Sequence, residues 1–311
     1  MKKILITGVA GYIGSKLATM LLSKGYFVVG VDILNYGGSS INHLYENKNF
    51  KFIKCDVTNL KNIKKILKNI DFVIPLAALV GAPLCEKFKK KAYLTNYLAI
   101  KKIVEQLRFN QKIIFPTTNS GYGIGQKSKF CTEETPLNPI SIYGKTKSRA
   151  EKIVLKHKNS ICFRLATVFG YSYRMRTDLL VNNFVKSAVD KKKLTIFEPH
   201  FRRNYIHIND ITAAFLFGIK NFHKMRSNIY NLGLSSANLT KIQLAKKIKK
   251  FLPKTIIEII KNVKDPDQRD YFVSNKKIEK VGFKTLTTLD DGIKELILVY
   301  QNSNIKIKNN Y

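Results

Sequence analysis

Residues 3–14 of this 311-residue chain read KILITGVAGYIG. A short β-rich run, Lys3–Thr7, is followed at once by glycines at positions 8, 11 and 14. Gly8 permits a tight turn, and Gly11 lets the backbone approach a pyrophosphate at the N-terminus of the next helix. Gly14 lets that helix pack closely on the strand. The stretch therefore predicts a strand, a turn and a helix that together bind a dinucleotide.

Two aspartates end the next β-rich runs and extend this prediction. Asp32 follows Gly14 by 18 residues, where a carboxylate can bind the hydroxyls of the adenosine ribose. Because that carboxylate would repel a 2′-phosphate, NAD is favoured over NADP as the cofactor. Asp56 ends the third run and could hydrogen-bond the adenine amino group. The alternative is an ordinary glycine turn followed by a strand-end aspartate.

Strand-like apolar runs alternate with segments of helical period through the first half of the chain. The runs lie at Lys3–Thr7, Phe27–Val31, Phe50–Ile53, Phe72–Ile74, Ile113–Phe115 and Ile161–Leu165. Such βαβ alternation implies a parallel sheet that is covered by helices on both faces. The sequence therefore predicts an α/β fold with a Rossmann-type, doubly wound parallel sheet.

In the second half of the chain the alternation becomes irregular. The pattern predicts helices at Asp178–Asp190, Leu239–Phe251 and Asp290–Tyr300. It predicts strands at Leu194–Phe197, Tyr205–Ile208 and Thr255–Ile260. We interpret this half as a smaller, partly interleaved C-terminal substrate domain that closes over the cofactor. Residues 1–171 and 203–232 would form the dinucleotide-binding domain, and residues 172–202 and 233–311 the substrate domain. The polar residues 301–311 are expected to be frayed.

The composition excludes a disordered chain and argues against nucleic acid as the partner. Hydrophobic residues make up 45% of the chain, which is enough to bury a large core. Lys and Arg number 55 against 21 Asp and Glu, which gives a formal net charge of +34. Only nine of these basic residues are Arg, whereas base reading and bidentate phosphate contacts favour Arg. We therefore expect solvated lysine faces and no dedicated nucleic-acid site.

Cysteine usage and the apolar stretches bear on compartment and membrane association. The four cysteines are scattered, without a Cys-x-x-Cys pair, at Cys55, Cys85, Cys131 and Cys162. That pattern fits the reduced thiols of a cytoplasmic protein better than disulfides or a zinc site. The apolar stretch Phe72–Leu84 contains two prolines and is too short to span a bilayer. We expect a soluble, cytoplasmic protein without a metal or a membrane partner.

Tyr143 and Lys147 carry the candidate acid–base chemistry. They stand four residues apart, which places the phenol and the ammonium on one face of a helix. A nearby cation favours tyrosinate and lowers the pKa of a tyrosine from its usual value of about 10. Such a tyrosine can take a hydroxyl proton while hydride leaves the same carbon for a nicotinamide. On its own, a Tyr and a Lys at this spacing form a common pair on the surface of a helix. Here the pair follows a glycine-rich turn and a fifth strand, and this context favours a catalytic role.

Several motifs resemble those of extended short-chain dehydrogenases/reductases that act on nucleotide sugars. The motifs are the glycine triplet, Leu76–Ala78, Asn96, Thr117–Thr118, Tyr122–Gly123, Tyr143 with Lys147, Arg203–His207 and Tyr230–Gly233. The resemblance implies that Thr118 hydrogen-bonds the reacting hydroxyl, that Tyr143 is the base and that Lys147 also holds the nicotinamide ribose. It also implies a homodimer or higher oligomer, formed through the helices around Lys89–Arg108 and Tyr143–His157. The alternative is that these helix surfaces pack within one chain.

The resemblance and the turns described above define the candidate binding residues. The cofactor positions are Gly8, Gly11, Tyr12, Ile13, Gly14, Asp32, Asp56, Val57, Leu76, Ala77, Ala78, Asn96, Tyr143 and Lys147. The substrate positions are Thr118, Asn119, Arg174, Arg176, Asn183, Thr195, Phe197, Arg203 and Arg269. Arg203 and Arg269 would contact the diphosphate, which two guanidinium forks suit. Arg174 and Arg176 either close over the sugar or phosphates or are exposed loop side chains.

Departures from the family pattern narrow the chemistry. Dehydratases of the family carry an Asp-Glu pair after the catalytic threonine, whereas Asn119 and Ser120 follow Thr118 here. UDP-galactose 4-epimerases usually carry Lys where this chain has Val80, and Asn where it has Thr167. The resemblance therefore favours oxidation or reduction of one carbinol, with or without return of the hydride.

Longer stretches are similar to one bacterial group of the family, the GDP-D-glycero-α-D-manno-heptose 4-dehydrogenases. They are Pro75–Pro83, Asn119–Gly125, Leu165–Gly170, Arg174–Leu180 and Tyr230–Asn238. The likeness implies NAD-dependent oxidation at C4 of a GDP-heptose, during biosynthesis of capsule or surface polysaccharide sugars. Two alternatives stay open, a nucleotide-sugar 4-epimerase of the UDP-sugar type and a non-catalytic dinucleotide sensor. The intact Thr118, Tyr143 and Lys147 argue against the sensor.

Overall fold

The computed structural model describes residues 1–125, 129–260 and 269–302. Its strands are β1 (Lys3–Thr7), β2 (Phe27–Asp32), β3 (Phe50–Lys54), β4 (Phe72–Pro75), β5 (Lys112–Thr118), β6 (Phe130–Cys131), β7 (Ser160–Leu165), β8 (Thr167–Phe169), β9 (Lys193–Phe197), β10 (Arg202–His207), β11 (Asn228–Leu232), β12 (Asn238–Thr240), β13 (Ile256–Ile260) and β14 (Phe272–Val273). Its α-helices are α1 (Tyr12–Ser23), α2 (Leu60–Leu67), α3 (Ala82–Lys87), α4 (Lys89–Tyr93), α5 (Ala99–Gln106), α6 (Ile142–Val154), α7 (Leu180–Lys191), α8 (Ile208–Lys220), α9 (Phe222–Met225), α10 (Lys241–Phe251), α11 (Lys276–Lys280) and α12 (Leu289–Asn302).

Seven strands in the described ranges form one parallel sheet, in the order β11-β7-β5-β4-β1-β2-β3. The chain runs outward from β1 through β2 to β3, and then crosses to the other side of β1 with β4. The strand order therefore reverses between β1 and β4. Loops that leave such a reversal point in opposite directions open a crevice at the carboxyl ends of the strands.

Helices cover both faces of this sheet. Helices α1 and α8 pack on one face, in a core that contains Leu17 and Phe215. Helices α2, α5 and α6 pack on the other face around Ile63, Ile103 and Val154. Because both faces are covered, β4 and β7 are buried over their full length. The predicted α/β fold with a doubly wound parallel sheet is confirmed.

The second half of the chain builds smaller sheets and also returns to the main sheet. Strand β10 pairs with β8 in parallel and with β12 in antiparallel, while β9 pairs with β13. Helices α7, α10 and α12 enclose a third core with β9. Strand β11 joins the main sheet and α8 its core, although both follow α7 in the sequence. Each predicted element of this half is present with small shifts at its ends. The division into two domains stays a prediction.

Two predictions concern residues at the borders of the described ranges. Helix α12 includes residues 301 and 302, so the predicted fraying is wrong for these two. Residues 303–311, and residues 265–268 directly before Arg269, lie outside the described residues. No helix within the described part of the chain is both long enough and apolar enough to cross a membrane.

Candidate active site

A cavity of about 550 Å³ lies at the carboxyl ends of the central strands. Its walls include the residues that directly follow β1, β3, β4 and β7, and the last residues of β2 and β5. The loops after β1 and β4 meet here, because a β-carbon at Gly8 would lie only 2.7 Å from the backbone nitrogen of Ala77. The cavity therefore occupies the place at which open α/β sheets bind their ligands.

Glycines keep side chains out of one end of this cavity. Gly8 has a φ of +72°, a conformation that glycine adopts without strain. A β-carbon at Gly14 would lie 2.2 Å from the Gly8 carbonyl oxygen, so only glycine lets α1 begin this close to β1. Gly11 caps α1 without a side chain, and the first turn of the helix carries no acidic residue. The first-turn N–H groups of α1 are thus suited to an anion, and this end fits the pyrophosphate of NAD.

Two carboxylates stand at the same end of the cavity. Asp32 accepts hydrogen bonds from the Ala10 N–H at 3.0 Å and from the Leu34 N–H at 2.8 Å, one on each oxygen. The backbone therefore fixes the carboxylate, and each oxygen keeps a lone pair for a ribose hydroxyl. Asp56 accepts from the N–H and the hydroxyl of Thr58, both at 2.8 Å on the same oxygen. Its other oxygen can accept from an adenine amino group.

Tyr143 is brought to Thr118 by the way α6 begins. Ser141 caps this helix, because its hydroxyl accepts from the Gly144 N–H at 3.1 Å. A β-carbon at Gly144 would lie 3.0 Å from the Ser120 carbonyl oxygen, so the glycine lets α6 approach the segment after β5. The Tyr143 phenol thereby lies beside the Thr118 side chain, which favours the phenolate and counters the rise in the pKa of Tyr143. The two residues that the sequence assigned to one substrate hydroxyl therefore line the same cavity.

Lys147 lies one helical turn after Tyr143 and is buried, with 4% of its surface exposed. Its ammonium nitrogen lies 4.1 Å from the centre of the Phe115 ring. Burial lowers the pKa of Lys147 to about 7, although Cys162 and Glu151 oppose the shift. At neutral pH this side chain is therefore only partly charged.

Burial also raises the pKa of Tyr143 to about 12, and Cys85 adds to the rise. The positive charges of Arg176 and Arg269 act in the opposite direction. The sequence predicted that Lys147 lowers this pKa, and that direction is wrong for the residues described. The reason is that desolvation of the phenol outweighs the cations, while Lys147 itself loses charge through burial.

Long cationic side chains also line the cavity, and one of them, Arg174, lies 4.7 Å from the Tyr36 ring in the loop after Asp32. Among the described residues, four of the chain's nine arginines take part, namely Arg174, Arg176, Arg203 and Arg269. Arg176 forms an ion pair with Asp178, with 3.1 Å between Nε and Oδ1. Arg203 is 2% exposed and donates from Nη1 to the Arg202 carbonyl at 2.9 Å. Guanidinium groups in this number suit a ligand that carries phosphates.

Most of the predicted site residues line this one cavity. They are Gly8, Gly11, Tyr12, Ile13, Gly14, Asp32, Asp56, Val57, Leu76, Ala77, Ala78, Thr118, Tyr143, Lys147, Arg174, Arg176, Asn183, Arg203 and Arg269. Asn96 does not line it, but its buried side chain bonds both the N–H and the C=O of Leu79 at 2.8 Å and so holds the segment after β4. Asn119 is also outside the lining, and its buried amide has no hydrogen-bond partner among the described residues.

Thr195 and Phe197 lie on β9 and are not among the lining residues. Thr195 is exposed, and its hydroxyl faces the Glu258 carboxylate of β13 at 3.4 Å. The structure does not bring Thr195 to the other site residues, because its neighbours in sequence take the buried face of this strand. Phe197 accepts at its carbonyl from Nζ of Lys241 at 2.7 Å. Lys241 lines the cavity, so Phe197 is connected to the site through this lysine.

Sequence reasoning missed several lining residues of the cavity, and Ser120 and Lys241 are two of them with buried polar side chains. Ser120 is 2% exposed, lines the cavity and is hydrogen-bonded to Thr118. The only signal was its position, two residues after the catalytic threonine and at the end of a strand. Lys241 is 3% exposed and begins α10 after the Thr240 cap. In a chain with 55 Lys and Arg, no pattern distinguishes one buried lysine from the exposed ones.

Comparisons with known proteins agree with this geometry. Residues 4–233 match the model of the NAD dependent epimerase/dehydratase family. UDP-glucose 4-epimerase of Lactobacillus helveticus is 30% identical over 274 residues, which are 79% of this chain and 81% of that protein. The trifunctional UDP-glucose 4,6-dehydratase/UDP-4-keto-6-deoxy-D-glucose 3,5-epimerase/UDP-4-keto-L-rhamnose-reductase RHM2 of Arabidopsis thaliana is 28% identical over 94% of this chain. The chain spans about half of that protein, 46% of its length.

A solved structure is similar along nearly the whole chain. It is UDP-glucuronic acid 4-epimerase from Bacillus cereus, in complex with UDP-glucuronic acid and NAD. The sequence identity is 26%, the match covers 96% of this chain and 99% of that one, and the TM-score is 0.84. The chain therefore belongs to the NAD dependent epimerase/dehydratase family, which confirms the predicted NAD cofactor and the predicted class of enzyme.

Proposed function

We propose that this protein oxidises the C4 hydroxyl of a nucleotide-activated sugar with NAD, and that its substrate is GDP-D-glycero-α-D-manno-heptose. The observation that carries the proposal is that Thr118, Tyr143 and Lys147 line one cavity together with the glycines of the cofactor end. One sugar hydroxyl can contact both oxygens, so that one residue orients it while the other accepts its proton. The product would serve the biosynthesis of capsule or surface polysaccharide sugars.

The two catalytic oxygens divide the work on one carbinol. The Tyr143 phenolate accepts the proton of the substrate hydroxyl, while Thr118 hydrogen-bonds the same oxygen and keeps it in place. NAD, when bound, supplies the acceptor for the hydride on that carbon. Burial disfavours the phenolate, whereas Arg176 and Arg269 favour it, so oxidation should become faster as the pH rises.

The carboxylates of the cavity argue against elimination of water. Those among the described lining residues are Asp32, Asp56 and Asp178. Asp32 and Asp56 stand at the end assigned to adenosine, and Asp178 is paired with Arg176. The two residues after Thr118 carry an amide and a hydroxyl, neither of which titrates near neutral pH. Elimination needs an acid and a base beside the reacting carbons, so the site favours simple oxidation.

The choice of substrate rests on two supports of different kinds. Arg203 and Arg269 suit a diphosphate, because each guanidinium group can bind two phosphate oxygens. The GDP-heptose itself rests on the similarity of segments such as Pro75–Pro83 to the GDP-heptose 4-dehydrogenases. Residues 76–83 of that segment line the cavity, where they can contact a ligand.

A 4-epimerase is the second candidate, and the relatives favour it. One is a UDP-glucose 4-epimerase and another a UDP-glucuronic acid 4-epimerase. Such a reaction begins with the same oxidation, but the 4-keto sugar turns over and takes the hydride back on its other face. The cycle is then redox-neutral and leaves no reduced cofactor behind.

One measurement separates the two candidates. The NAD-loaded protein is mixed with GDP-heptose and, in parallel, with GDP-mannose, UDP-glucose and dTDP-glucose, while the absorbance of reduced nicotinamide is followed. A rise with GDP-heptose, together with a 4-keto product in the NMR spectrum, supports the proposal. A new UDP-sugar isomer without net reduction of NAD identifies the epimerase. Reduction of NAD only by another sugar refutes the heptose assignment.

We also propose that the protein is a cytoplasmic homodimer or higher oligomer. Helices α5 and α6, which lie within the two segments assigned to the interface, pack side by side on one face of the main sheet. The four cysteines are buried and form no disulfide, in keeping with a reducing compartment. Light scattering of the purified protein tests the oligomer, and a monomer would refute it.

A further inference from the structure

Ser120 lies beside the catalytic threonine but has no role in the assignment so far. It belongs to the 3₁₀ turn Asn119–Tyr122 that follows β5, it is 2% exposed, and it lines the cavity. Its N–H donates to Thr118 Oγ1 at 3.1 Å, and Thr118 Oγ1 donates to Ser120 Oγ at 2.9 Å. Two hydrogen bonds therefore hold the Thr118 hydroxyl against Ser120, one from the serine backbone and one to the serine hydroxyl.

A cation contacts the same serine oxygen. Arg269 donates from Nη1 to Ser120 Oγ. A guanidinium group can only donate, so this oxygen is an acceptor for both neighbours, and the serine proton is left for a third group. Hydrogen bonds thus connect Arg269 through Ser120 to Thr118, which lines the same cavity as Tyr143.

We propose that Ser120 is a positioning residue, which links the binding of the substrate diphosphate at Arg269 to the Thr118 hydroxyl that contacts the reacting oxygen. The inference rests on the proposed function, because it takes Arg269 as a diphosphate contact. It assigns to Ser120 a role in kcat and not only in binding.

The chemistry of the link follows from the freedom of hydroxyl protons. They rotate about the C–O bond, so the contacts can reverse their direction without movement of the oxygen atoms. When a sugar oxygen reaches Thr118, the threonine donates to it and accepts from Ser120 instead. Arg269 then begins a chain of donors that all point toward the reacting oxygen.

Such a chain of donors stabilises the negative charge that appears when the substrate proton leaves for Tyr143. Hydrogen bonds in series polarise one another, and here the first donor is a cation. A diphosphate that fixes Arg269 also fixes the chain, so binding at a distance from the reacting carbon raises kcat. Without the serine hydroxyl the diphosphate would still bind, but its binding would no longer orient the Thr118 hydroxyl.

The kinetic test compares Ser120→Ala with Ser120→Thr, which keeps a hydroxyl, and with Ser160→Ala as the matched control. Ser160 is fully buried at the far end of β7, and its hydroxyl has no partner among the described residues. Each variant is assayed with the nucleotide sugar and with the corresponding sugar 1-phosphate, which lacks the nucleoside and one phosphate. For the nucleotide sugar, kcat should fall about tenfold in Ser120→Ala.

For each variant, the ratio of kcat for the nucleotide sugar to kcat for the sugar 1-phosphate decides the outcome. We expect Ser120→Ala to bring this ratio closer to one, because the sugar 1-phosphate makes less use of Arg269. Ser120→Thr should restore most of the ratio, and Ser160→Ala should leave it unchanged. An equal fall in kcat for both substrates, or a change in KM alone, would overturn the proposal.

A binding measurement makes the test independent of turnover. The NAD-saturated protein is titrated with inorganic pyrophosphate in a calorimeter, with and without the substitution Thr118→Val. Because coupling between two sites is reciprocal, Thr118→Val should weaken pyrophosphate binding about threefold when Ser120 is intact, and not in Ser120→Ala. Equal effects in both backgrounds refute the link. Thr118→Val could weaken pyrophosphate binding only when Ser120 is intact, while no nucleotide sugar is oxidised. In that case the proposed function fails, and the role of Ser120 in linking Arg269 to Thr118 stands.

Discussion

The two ends of the cavity are built from different parts of the chain. At the cofactor end the surface is mostly backbone, since Gly8 and Gly14 leave no room for a β-carbon and the Ala10 N–H fixes Asp32. At the substrate end the surface includes the side chains of Arg203 and Arg269 and the buried Lys241. The cofactor end is therefore formed by the backbone of the fold, whereas the substrate end is formed by side chains that the fold carries.

This difference determines what a substitution does at each end. A side chain at the cofactor end displaces a helix or a loop, so it disturbs folding and binding together. The loss of one guanidinium group removes one ligand contact and leaves the backbone as it was. The substrate end can thus change residue by residue without a change in the fold, and Thr118 and Tyr143 lie where the two ends meet.

Tyr143→Phe should show the largest effect, because it removes the group that we propose as the proton acceptor for the reaction. Turnover should fall by about 10²–10⁴-fold, while NAD binding stays close to that of the unchanged protein. Initial rates and a fluorescence titration with NADH measure the two quantities. Tyr93→Phe is the control, since Tyr93 is 41% exposed on α4 and is not among the cavity residues. Similar rates for the two variants would refute the assignment of Tyr143 as the proton acceptor.

Gly14→Ala tests whether the cofactor end is part of the fold. Its β-carbon would lie 2.2 Å from the Gly8 carbonyl oxygen, so α1 has to move. The free energy of unfolding should drop by about 1–3 kcal/mol, and NAD affinity should fall with it. Gly38→Ala is the control, because the nearest atom to its β-carbon would be 3.5 Å away in the flexible side chain of Leu34. Equal stability of both variants in urea would contradict a backbone-built end.

The cofactor end was predictable because its determinants are close in sequence. β1, the turn at Gly8 and α1 follow one another directly, and their geometry hardly depends on the rest of the chain. Tyr143 and Lys147 were predictable for the same reason, since four residues on a helix define a common face. The parallel sheet, covered by helices on both faces, followed from the alternation of strand-like and helical segments.

The remainder depends on packing between distant segments. Thr195 points outward because of how β9 packs on α7 and α10, which periodicity alone does not reveal. The rise in the pKa of Tyr143 reflects burial by the whole surrounding structure. Ser120 receives its hydrogen bond from Arg269, 149 residues further along the chain. Long-range contacts of this kind leave no mark in the local spacing of residues.

Arg203→Lys tests the opposite expectation for the substrate end. Lysine keeps the charge but loses the planar fork, so GDP should bind about tenfold more weakly in calorimetry. The free energy of unfolding and the affinity for NAD should stay nearly constant. Arg226→Lys is the control, since Arg226 is exposed and is not among the cavity residues. A loss of NAD affinity in Arg203→Lys would mean that the two ends are not separable.

Lys147 lies buried beneath Tyr143, and its protonation should appear in the stability of the fold. Burial lowers its pKa to about 7 from an ordinary value of 10.5. Between these values the unfolded chain holds a proton that the folded chain has released, so stability rises with pH there. Relative to Lys147→Met, the free energy of unfolding should increase by about 1 kcal/mol between pH 7 and pH 8. Urea unfolding of both proteins across this range measures the difference, and a difference independent of pH would mean that Lys147 keeps its charge in the folded protein.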